Sequence, residues 1–465
     1  MQKILTSIKN WLDDRILKRV VKNAGYLILS NLISVFLTIY ITRLLGVYNY
    51  GVLGLITSYV TNVNKLFSFR MNEMVVRYVG EAFEKEDLPK TAALIKFAAL
   101  IETITSILAF LFMALTAKAG ARILLDDESL YPLIIFYGTT ILTGFAMETS
   151  NGVLRVINRY RSIALVSLLQ NVLVLLIVLF ASKTGLGLNA ILFAYFIGKA
   201  ILGIVPVILN LVWLPKFLGR NWLKMPLSLV TDRKNILKFT ISTNISSTIN
   251  ILARDGELLW VGALLSPLYA GYYKTAMTVI NMVLTPINPL IDTSYPELNR
   301  AVVAKKWHRV RRLVSKMTII SLIWTGAAFV GLLFLGKQLL FNPVIFGPIH
   351  FQIFKEEYLP AYKIIMILMA GYGLANVFFW NRTLLLAFSD AGYASSVSFY
   401  SMLIKVFFTI VLVPRGPYVT ESVLLSAYLA GSVLVMMIHG LAQLRRKEIE
   451  EPEPPKPVQE MRQVQ

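Results

Sequence analysis

Apolar residues recur along this chain in runs of about 20, which short polar or charged segments separate. A run of that length forms an α-helix that crosses roughly 30 Å of hydrocarbon. Alternating strands of about ten residues, which are typical of a membrane barrel, are not seen in the pattern. Because a helix satisfies its backbone hydrogen bonds internally, helices are the structure that these runs predict in lipid. The predicted spans are 24–43, 49–70, 92–117, 129–150, 162–182, 187–213, 244–263, 269–290, 313–336, 359–381, 393–414 and 418–440.

The order of these spans predicts an all-α polytopic membrane protein with about twelve transmembrane helices. A shift of 220 residues aligns ITRLLGVYNYGVLGL with VGALLSPLYAGYYKT, so that two leucines and one glycine coincide. The same shift aligns, without a gap, the long polar connection and the third helix of each half. We therefore predict two six-helix lobes related as a parallel repeat, an arrangement typical of transporters.

The repeat and the two ends of the chain define the predicted domains. The N-terminal stretch has apolar residues on one helical face and basic residues elsewhere, as in a helix at a membrane surface. The last stretch, EEPEPPKPVQEMRQVQ, is proline-rich and charged, which indicates disorder. The predicted boundaries are 1–23 for an amphipathic cytoplasmic helix, 24–213 for the N-lobe, 214–243 for a cytoplasmic linker, 244–440 for the C-lobe and 441–465 for a disordered tail.

The basic residues indicate the orientation of the chain. The formal net charge is +20, and 31 of the 46 Lys and Arg residues fall at the termini and in alternate loops, against seven in the opposite loops. The positive-inside rule then predicts a multi-pass protein of the cell membrane with both termini in the cytoplasm. Because topology explains most of the charge, we expect no nucleic acid as a partner.

The composition argues against several kinds of functional site. Hydrophobic residues make up 56% of the 465 residues, more than one or two soluble cores could bury. Cysteine is absent, and the three histidines show no spacing typical of metal ligands. No Walker motif is present. We therefore expect no metal and no cofactor, and we predict that the chain is not an enzyme.

Charged residues inside predicted spans are candidate functional groups. The stretch INILARDGELLWVGALL places Arg254, Asp255 and Glu257 in an apolar run, where an ionisable group costs about 2.5–3.5 kcal/mol on insertion scales. Such groups are expected to pair or to face a wet cavity. In an α-helix, Arg254 reaches Glu257 at i+3, and Asp255 then lies on a different face. Both a structural ion pair and a lining of the substrate path fit this pattern.

Further ionisable residues lie in other predicted spans. Lys199 and Lys405 lie too deep for easy snorkelling, and a cationic lumen would suit a pyrophosphate group. Snorkelling is the simpler explanation for Lys274, which lies near a helix end. Glu148 is expected to be a solvated residue at a helix end. The candidate substrate-binding residues are Arg254, Lys199, Lys405, Lys274 and Lys96, and the candidate ion-coupling or gating residues are Asp255, Glu257 and Glu102, which could bind H⁺ or Na⁺.

Two stretches of the sequence resemble a known family. YITRLLGVYNYGVLGL resembles the helix 1–2 motif of polysaccharide and oligosaccharide-lipid exporters, and ARDGELLWVGALLSPLYAGYYKTAM resembles their seventh and eighth helices. The chain thus looks like a Wzx-type flippase of the multidrug/oligosaccharidyl-lipid/polysaccharide exporter superfamily. That resemblance implies translocation of an undecaprenyl- or dolichyl-pyrophosphate-linked oligosaccharide to the outer leaflet by alternating access. Membrane lipids and glycan-assembly proteins are the further partners that it implies.

Other classes of protein fit the sequence less well. A drug or metabolite exporter of the same fold usually takes cationic amphiphiles, against which Lys199, Arg254 and Lys405 argue. A membrane glycosyltransferase or polymerase needs a sizeable extracytoplasmic loop, and the largest candidate, Gly336 to Glu357, is short. A scaffold without transport activity is the remaining alternative.

Overall fold

The computed structural model describes residues 15–342, 344–346 and 349–450. Helices dominate these residues, which confirms the predicted all-α class. The only described strands are two three-residue segments, β1 (Val344–Phe346) and β2 (Ile349–Phe351), which pair antiparallel.

The helices in the first part of the chain range from 4 to 53 residues. They are α1 (Arg15–Phe67), α2 (Met71–Met74), α3 (Gly80–Glu84), α4 (Leu88–Leu124), α5 (Tyr131–Thr143), α6 (Met147–Val156), α7 (Tyr160–Thr184), α8 (Gly187–Leu218) and α9 (Arg233–Asn250). A π-helix, Val75–Val79, joins α2 to α3. Short 3₁₀ turns lie at Glu128–Leu130, Trp222–Lys224 and Leu227–Leu229.

The helices in the second part are interrupted more often. They are α10 (Glu257–Leu264), α11 (Pro267–Leu284), α12 (Asn288–Val303), α13 (Trp307–Gly331), α14 (Lys337–Phe341), α15 (Ala361–Val377), α16 (Trp380–Ala387), α17 (Ala391–Leu412) and α18 (Thr420–Glu450). Two π-helices, Ile251–Asp255 and Leu332–Gly336, precede α10 and α14. The remaining 3₁₀ turns are Thr285–Ile287 and Glu356–Tyr358.

Nine helical stretches of the described chain are long and apolar enough to cross a membrane. The first, Leu29–Phe67, covers two predicted spans. Gly46 separates them, because its φ of 71° and ψ of 173° are not helical and its φ favours glycine. The predicted seventh and eighth spans are helical but are not among the nine, since polar residues interrupt them. The chain is therefore a multi-pass membrane protein, and the exact count of twelve spans stays a prediction.

Local features recur at the predicted repeat spacing. The helix breaks at Gly46 in the first half and between α10 and α11 in the second, 220 residues further on. Glu86 and Lys305, 219 residues apart, both have a positive φ, and each lies two residues before a long helix. These parallels agree with the predicted repeat. The arrangement of its halves as two lobes stays a prediction.

By its internal packing the described chain divides into two compact units. The first runs to Ile251 and includes Ser266–Leu268, and the second comprises Leu252–Leu265 and the residues from Tyr269 onward. In the first unit, Trp222, Val230 and Ile236 of the predicted linker join a buried apolar cluster with α4. The linker is thus part of the packed core of that unit.

The predicted boundaries at the chain ends need one correction. Residues 441–450 were expected in a disordered tail, but they form the last turns of α18. Ion pairs explain this extension, because Arg446 contacts Glu450 at 2.7 Å and Arg311 of α13 contacts Glu448 at 2.6 Å. The N-terminal prediction lies outside the described residues from 1 to 14, while residues 15–23 continue directly into α1. The predicted tail from 451 onward lies outside the described residues.

Candidate functional site

A buried group of three charged side chains lies in the second unit. The Lys405 Nζ of α17 donates to Glu257 Oε1 of α10 at 2.6 Å, and it also donates to Glu421 Oε1 of α18. The three side chains are 1%, 3% and 0% exposed. Buried charges are tolerated only when they are paired and hydrogen-bonded, so the three residues form one interdependent cluster. We call Lys405, Glu257 and Glu421 the charged triad.

Several polar atoms around the charged triad have no hydrogen-bond partner among the described residues. They are the second carboxylate oxygens of Glu257 and Glu421, the Thr409 hydroxyl and the Tyr273 hydroxyl. Thr409 follows Lys405 by one helical turn, and Tyr273 lies within electrostatic range of both carboxylates. The Trp260 ring lies 6.0 Å from the Lys405 ammonium. The two carboxylates of the charged triad can therefore each accept a further hydrogen bond or a proton.

The backbone changes geometry between Arg254 and Glu257. Ile251–Asp255 is a π-helix, and Gly256 at φ −93° and ψ 9° separates it from α10. The predicted pair between Arg254 and Glu257 is therefore wrong, since α-helical i,i+3 geometry does not extend across this break. Arg254 Nε instead contacts Asp255 Oδ1 at 3.3 Å.

Arg254 is exposed in this segment. Its side chain is 48% exposed although it lies within an apolar run. Tyr372 of α15 and Tyr428 of α18 lie within electrostatic range of its guanidinium. An exposed guanidinium beside phenol groups can bind an oxyanion by paired hydrogen bonds.

A second polar cluster lies in the first unit. Glu102 of α4 is buried, and its two carboxylate oxygens accept from the backbone N–H groups of Glu148 at 2.7 Å and Thr149 at 2.9 Å. These N–H groups belong to the first turn of α6, whose N-cap residue Ala146 offers no side chain for capping. Glu102 thus caps α6 from another helix.

The same unit contains a partly open cavity beside Glu102. Its volume is about 70 Å³, and Lys199 of α8 is part of its lining. Glu148 also faces the cavity, where Ser68 donates to its Oε1 at 2.9 Å. Its other oxygen is buried and has no hydrogen-bond partner in the described part of the chain. The cavity lining is Val60, Thr61, Asn64, Ser68, Glu102, Thr105, Ser106, Thr140, Ile141, Gly144, Met147, Glu148 and Lys199.

Two other predicted cations lie on α4 and α11. Lys96 donates to the backbone carbonyl of Leu223 at 2.9 Å and to that of Met225, so it ties α4 to the linker. Because its ammonium group already donates to two backbone carbonyls, Lys96 has a structural role in this structure. Lys274 is half-buried on α11.

Two acidic residues were missed as members of these clusters. Glu421 lies in the first turn of a predicted span, where an acidic residue is ordinarily explained by the membrane surface. Glu148 was expected to be solvated, but α6 begins beside α4 and brings it against Glu102. The TES sequence at 420–422 resembles a helix start, and no sequence signal connects it to Lys405.

The capping role of Glu102 leads to a stability prediction. Replacing Glu102 with alanine leaves two N–H groups of α6 without acceptors, which is expected to lower stability by about 2 kcal/mol. Glu102→Gln keeps one carbonyl acceptor and should lose less. Thermal unfolding of the purified protein in detergent measures both effects, with Glu73→Ala, an exposed acidic residue paired to Arg70, as the control. Unchanged unfolding of Glu102→Ala would refute the capping role.

Sequence comparisons connect the chain to known membrane proteins. A family described as "Polysaccharide biosynthesis protein" matches residues 20–302. The inner membrane protein YghQ of Escherichia coli (strain K12) is 24% identical over 316 residues, which are 63% of this chain and 84% of that protein.

Solved structures share the fold at low sequence identity. An inward-facing multidrug resistance transporter of the MATE family and MOP superfamily has a TM-score of 0.73 at 12% identity, covering 91% of this chain and 96% of its own. The lipid II flippase MurJ in an inward closed conformation has a TM-score of 0.65 at 14% identity, covering 94% of each chain. A MOP superfamily transporter from Pyrococcus furiosus, whose binding pocket is described as of reverse polarity, has a TM-score of 0.60 at 12% identity, covering 92% and 94%. These similarities establish the fold.

Proposed function

Since this chain belongs to the family of polysaccharide biosynthesis proteins, we propose that it is a flippase for a polyprenyl-pyrophosphate-linked oligosaccharide. In this proposal the protein moves the lipid-linked glycan from the inner to the outer leaflet by alternating access. The shared fold with transporters and with a lipid flippase supports the reaction class, which needs no catalytic residue.

The observation that carries the choice of substrate is the exposure of Arg254. Its side chain stays 48% exposed within an apolar segment, and among the described residues its one ion pair is a 3.3 Å approach to Asp255. A pyrophosphate that leaves water needs donors to replace its hydration, and a guanidinium offers a planar pair of them. We assign pyrophosphate binding to Arg254, with Tyr372 and Tyr428 as neighbouring hydroxyl groups.

The charged triad is proposed as the coupling group. Its one ammonium balances one of two carboxylates, so the cluster can accept one proton on a remaining carboxylate oxygen. The ammonium bridges the two carboxylates, and a sodium ion would have to displace it to bind there. We therefore favour H⁺ over Na⁺ as the coupling ion at this position.

The position of Arg254 directly before α10 connects proton binding at the charged triad to substrate affinity. A proton on Glu257 removes one of the two charges that hold Lys405, which weakens the attachment of α10 to α17. Arg254 lies in the segment directly before α10, three residues from Glu257. Proton binding and release would thus alter the position of Arg254, and with it the affinity for pyrophosphate.

A cation exporter is the second candidate function. The observation that favours it is the acidic pair Glu102 and Glu148 in the first unit. One buried carboxylate oxygen of Glu148, beside a partly open cavity, has no hydrogen-bond partner among the residues that the structure describes. Carboxylates of this kind bind lipophilic cations. Lys199 in the same cavity opposes such a ligand by charge repulsion.

Ligand binding separates the two functions. Purified protein would be titrated with undecaprenyl-pyrophosphate-linked oligosaccharide, with the corresponding monophosphate lipid and with tetraphenylphosphonium, and bound ligand would be counted by native mass spectrometry. The flippase proposal expects the pyrophosphate lipid to bind most tightly. Preferential binding of tetraphenylphosphonium would favour the exporter and overturn the flippase assignment.

A further inference from the structure

One end of the first unit carries a group of basic and aromatic residues. From Thr149 to Thr231 the sequence contains eight Lys or Arg residues and no Asp or Glu. Within this stretch, Arg159 directly precedes α7 and Lys216 lies in the last turn of α8. The short turn between Thr184 and Gly187 joins these two helices, so the start of α7 and the end of α8 lie at the same face of the membrane.

The side chain of Trp213 brings two of these cations together. The Arg159 guanidinium carbon lies 3.7 Å from the Trp213 ring centroid, and the Lys216 Nζ lies 4.6 Å from the same centroid. Two positive charges held beside one indole repel each other, although each gains from the contact with the ring. Neither forms an ion pair with a carboxylate within the part of the chain that the structure describes. An external anion would relieve this repulsion.

A second cation–aromatic contact lies close by. Arg161, two residues after Arg159, donates to the Tyr26 hydroxyl of α1 at 2.9 Å, and its guanidinium carbon lies 5.3 Å from that ring. Trp213 lies near the end of the spanning stretch Gly187–Leu218, and Tyr26 lies three residues before the spanning stretch Leu29–Phe67. Trp and Tyr at such positions lie at the level of lipid headgroups.

We propose that Arg159, Lys216 and Trp213 form a binding site for the phosphate headgroup of an anionic membrane phospholipid. The two cations bind the headgroup phosphate, and the indole holds them in place and contacts the lipid at the headgroup level. The lipid belongs to the leaflet at this end of α7 and α8. This site is separate from Arg254 and the charged triad, and it does not depend on the proposed flippase function.

The positive-inside rule alone also places basic residues at one membrane face, so the test needs a matched control at that face. Arg220 and Lys224 are exposed, belong to the same acid-free stretch and show no contact with an aromatic ring in the described chain. The double variant Arg220→Gln/Lys224→Gln therefore removes the same charge as Arg159→Gln/Lys216→Gln without touching Trp213.

Native mass spectrometry of the detergent-purified protein gives the affinity for phosphatidylglycerol and for zwitterionic phosphatidylcholine. A direct hydrogen bond to a charged phosphate is worth roughly tenfold or more in affinity, so Arg159→Gln/Lys216→Gln is expected to weaken phosphatidylglycerol binding by roughly tenfold or more. The Arg220→Gln/Lys224→Gln control should lose much less. Trp213→Leu, which keeps both charges, is expected to give an intermediate loss.

Three outcomes would overturn this site. Equal losses in the two double variants would mean that only the surface charge matters. Unchanged phosphatidylglycerol binding in Arg159→Gln/Lys216→Gln would exclude the site directly. If inorganic phosphate displaced bound phosphatidylglycerol as strongly as free phosphatidylglycerol does, the site formed by Arg159, Lys216 and Trp213 would be a site for a soluble anion. Thermal unfolding without added lipid checks that each variant is folded, and the single variant Lys216→Gln serves if the double variant is not.

Discussion

A Lys405→Met variant is expected to lose most of its stability, so that little folded protein accumulates in the membrane. Methionine keeps the length of the side chain but leaves Glu257 and Glu421 buried without their cation. Breaking a buried ion pair by removing one partner typically costs about 3–5 kcal/mol, because an uncompensated charge remains inside the protein. Thermal unfolding in detergent, followed with the yield of monodisperse protein, measures this loss.

Two controls make this prediction specific to the charged triad. The triple variant Lys405→Met/Glu257→Gln/Glu421→Gln removes all three charges. Its neutral side chains have a similar size, so it should regain most of the stability. It should nevertheless lose any response of transport to a pH gradient. Lys316→Met removes an exposed lysine of α13 and should unfold like the wild type. If Lys405→Met were as stable as Lys316→Met, the buried cluster would have no energetic role.

An Arg254→Ala variant is expected to fold normally and to flip a pyrophosphate-linked lipid much more slowly. Hydrogen bonds to a charged group contribute about 1.5–3 kcal/mol, which corresponds to roughly 10- to 100-fold in rate or affinity. Because the side chain is 48% exposed and its contact to Asp255 is long, its removal should change stability little. Initial flipping rates in proteoliposomes, at matched protein content, measure the effect.

Arg254→Lys and Arg122→Ala are the matched variants for this experiment. Lysine keeps the charge but loses the planar pair of donors, so Arg254→Lys should retain part of the activity. Arg122 is an exposed arginine near the end of α4, and its removal should leave flipping unchanged. Equal flipping rates for wild type and Arg254→Ala would exclude a role of Arg254 in substrate binding, and its contact with Asp255 would then be structural.

Hydropathy predicted the class of fold because runs of apolar residues in lipid have few structural solutions. The number of spans was harder to predict. The helix α9 has the sequence RKNILKFTISTNISSTIN, in which polar residues break the apolar signal while the structure is still helical. Gly46, at φ 71° and ψ 173°, is not helical, so the first two predicted spans are two helices that meet at this residue without an intervening loop.

The charged triad was predictable only in part. Glu257 and Lys405 each stand out as ionisable residues in apolar runs, but 148 residues separate them, and a single sequence carries no signal for contacts over that distance. Glu421 was missed because it lies at a helix start. The pair expected between Arg254 and Glu257 failed because the π-helix at Ile251–Asp255 depends on packing rather than on local residue preferences.

The most direct test of the proposed function is reconstitution of the wild-type protein into vesicles that carry a fluorescent undecaprenyl-pyrophosphate-linked oligosaccharide in both leaflets. A membrane-impermeant reductant then bleaches every fluorophore that reaches the outer leaflet. We predict that the protein exposes nearly the whole pool to the reductant, while the Arg254→Ala variant does so far more slowly. Bleaching limited to the outer-leaflet share, as in vesicles without protein, would contradict the assignment as a flippase for this lipid class.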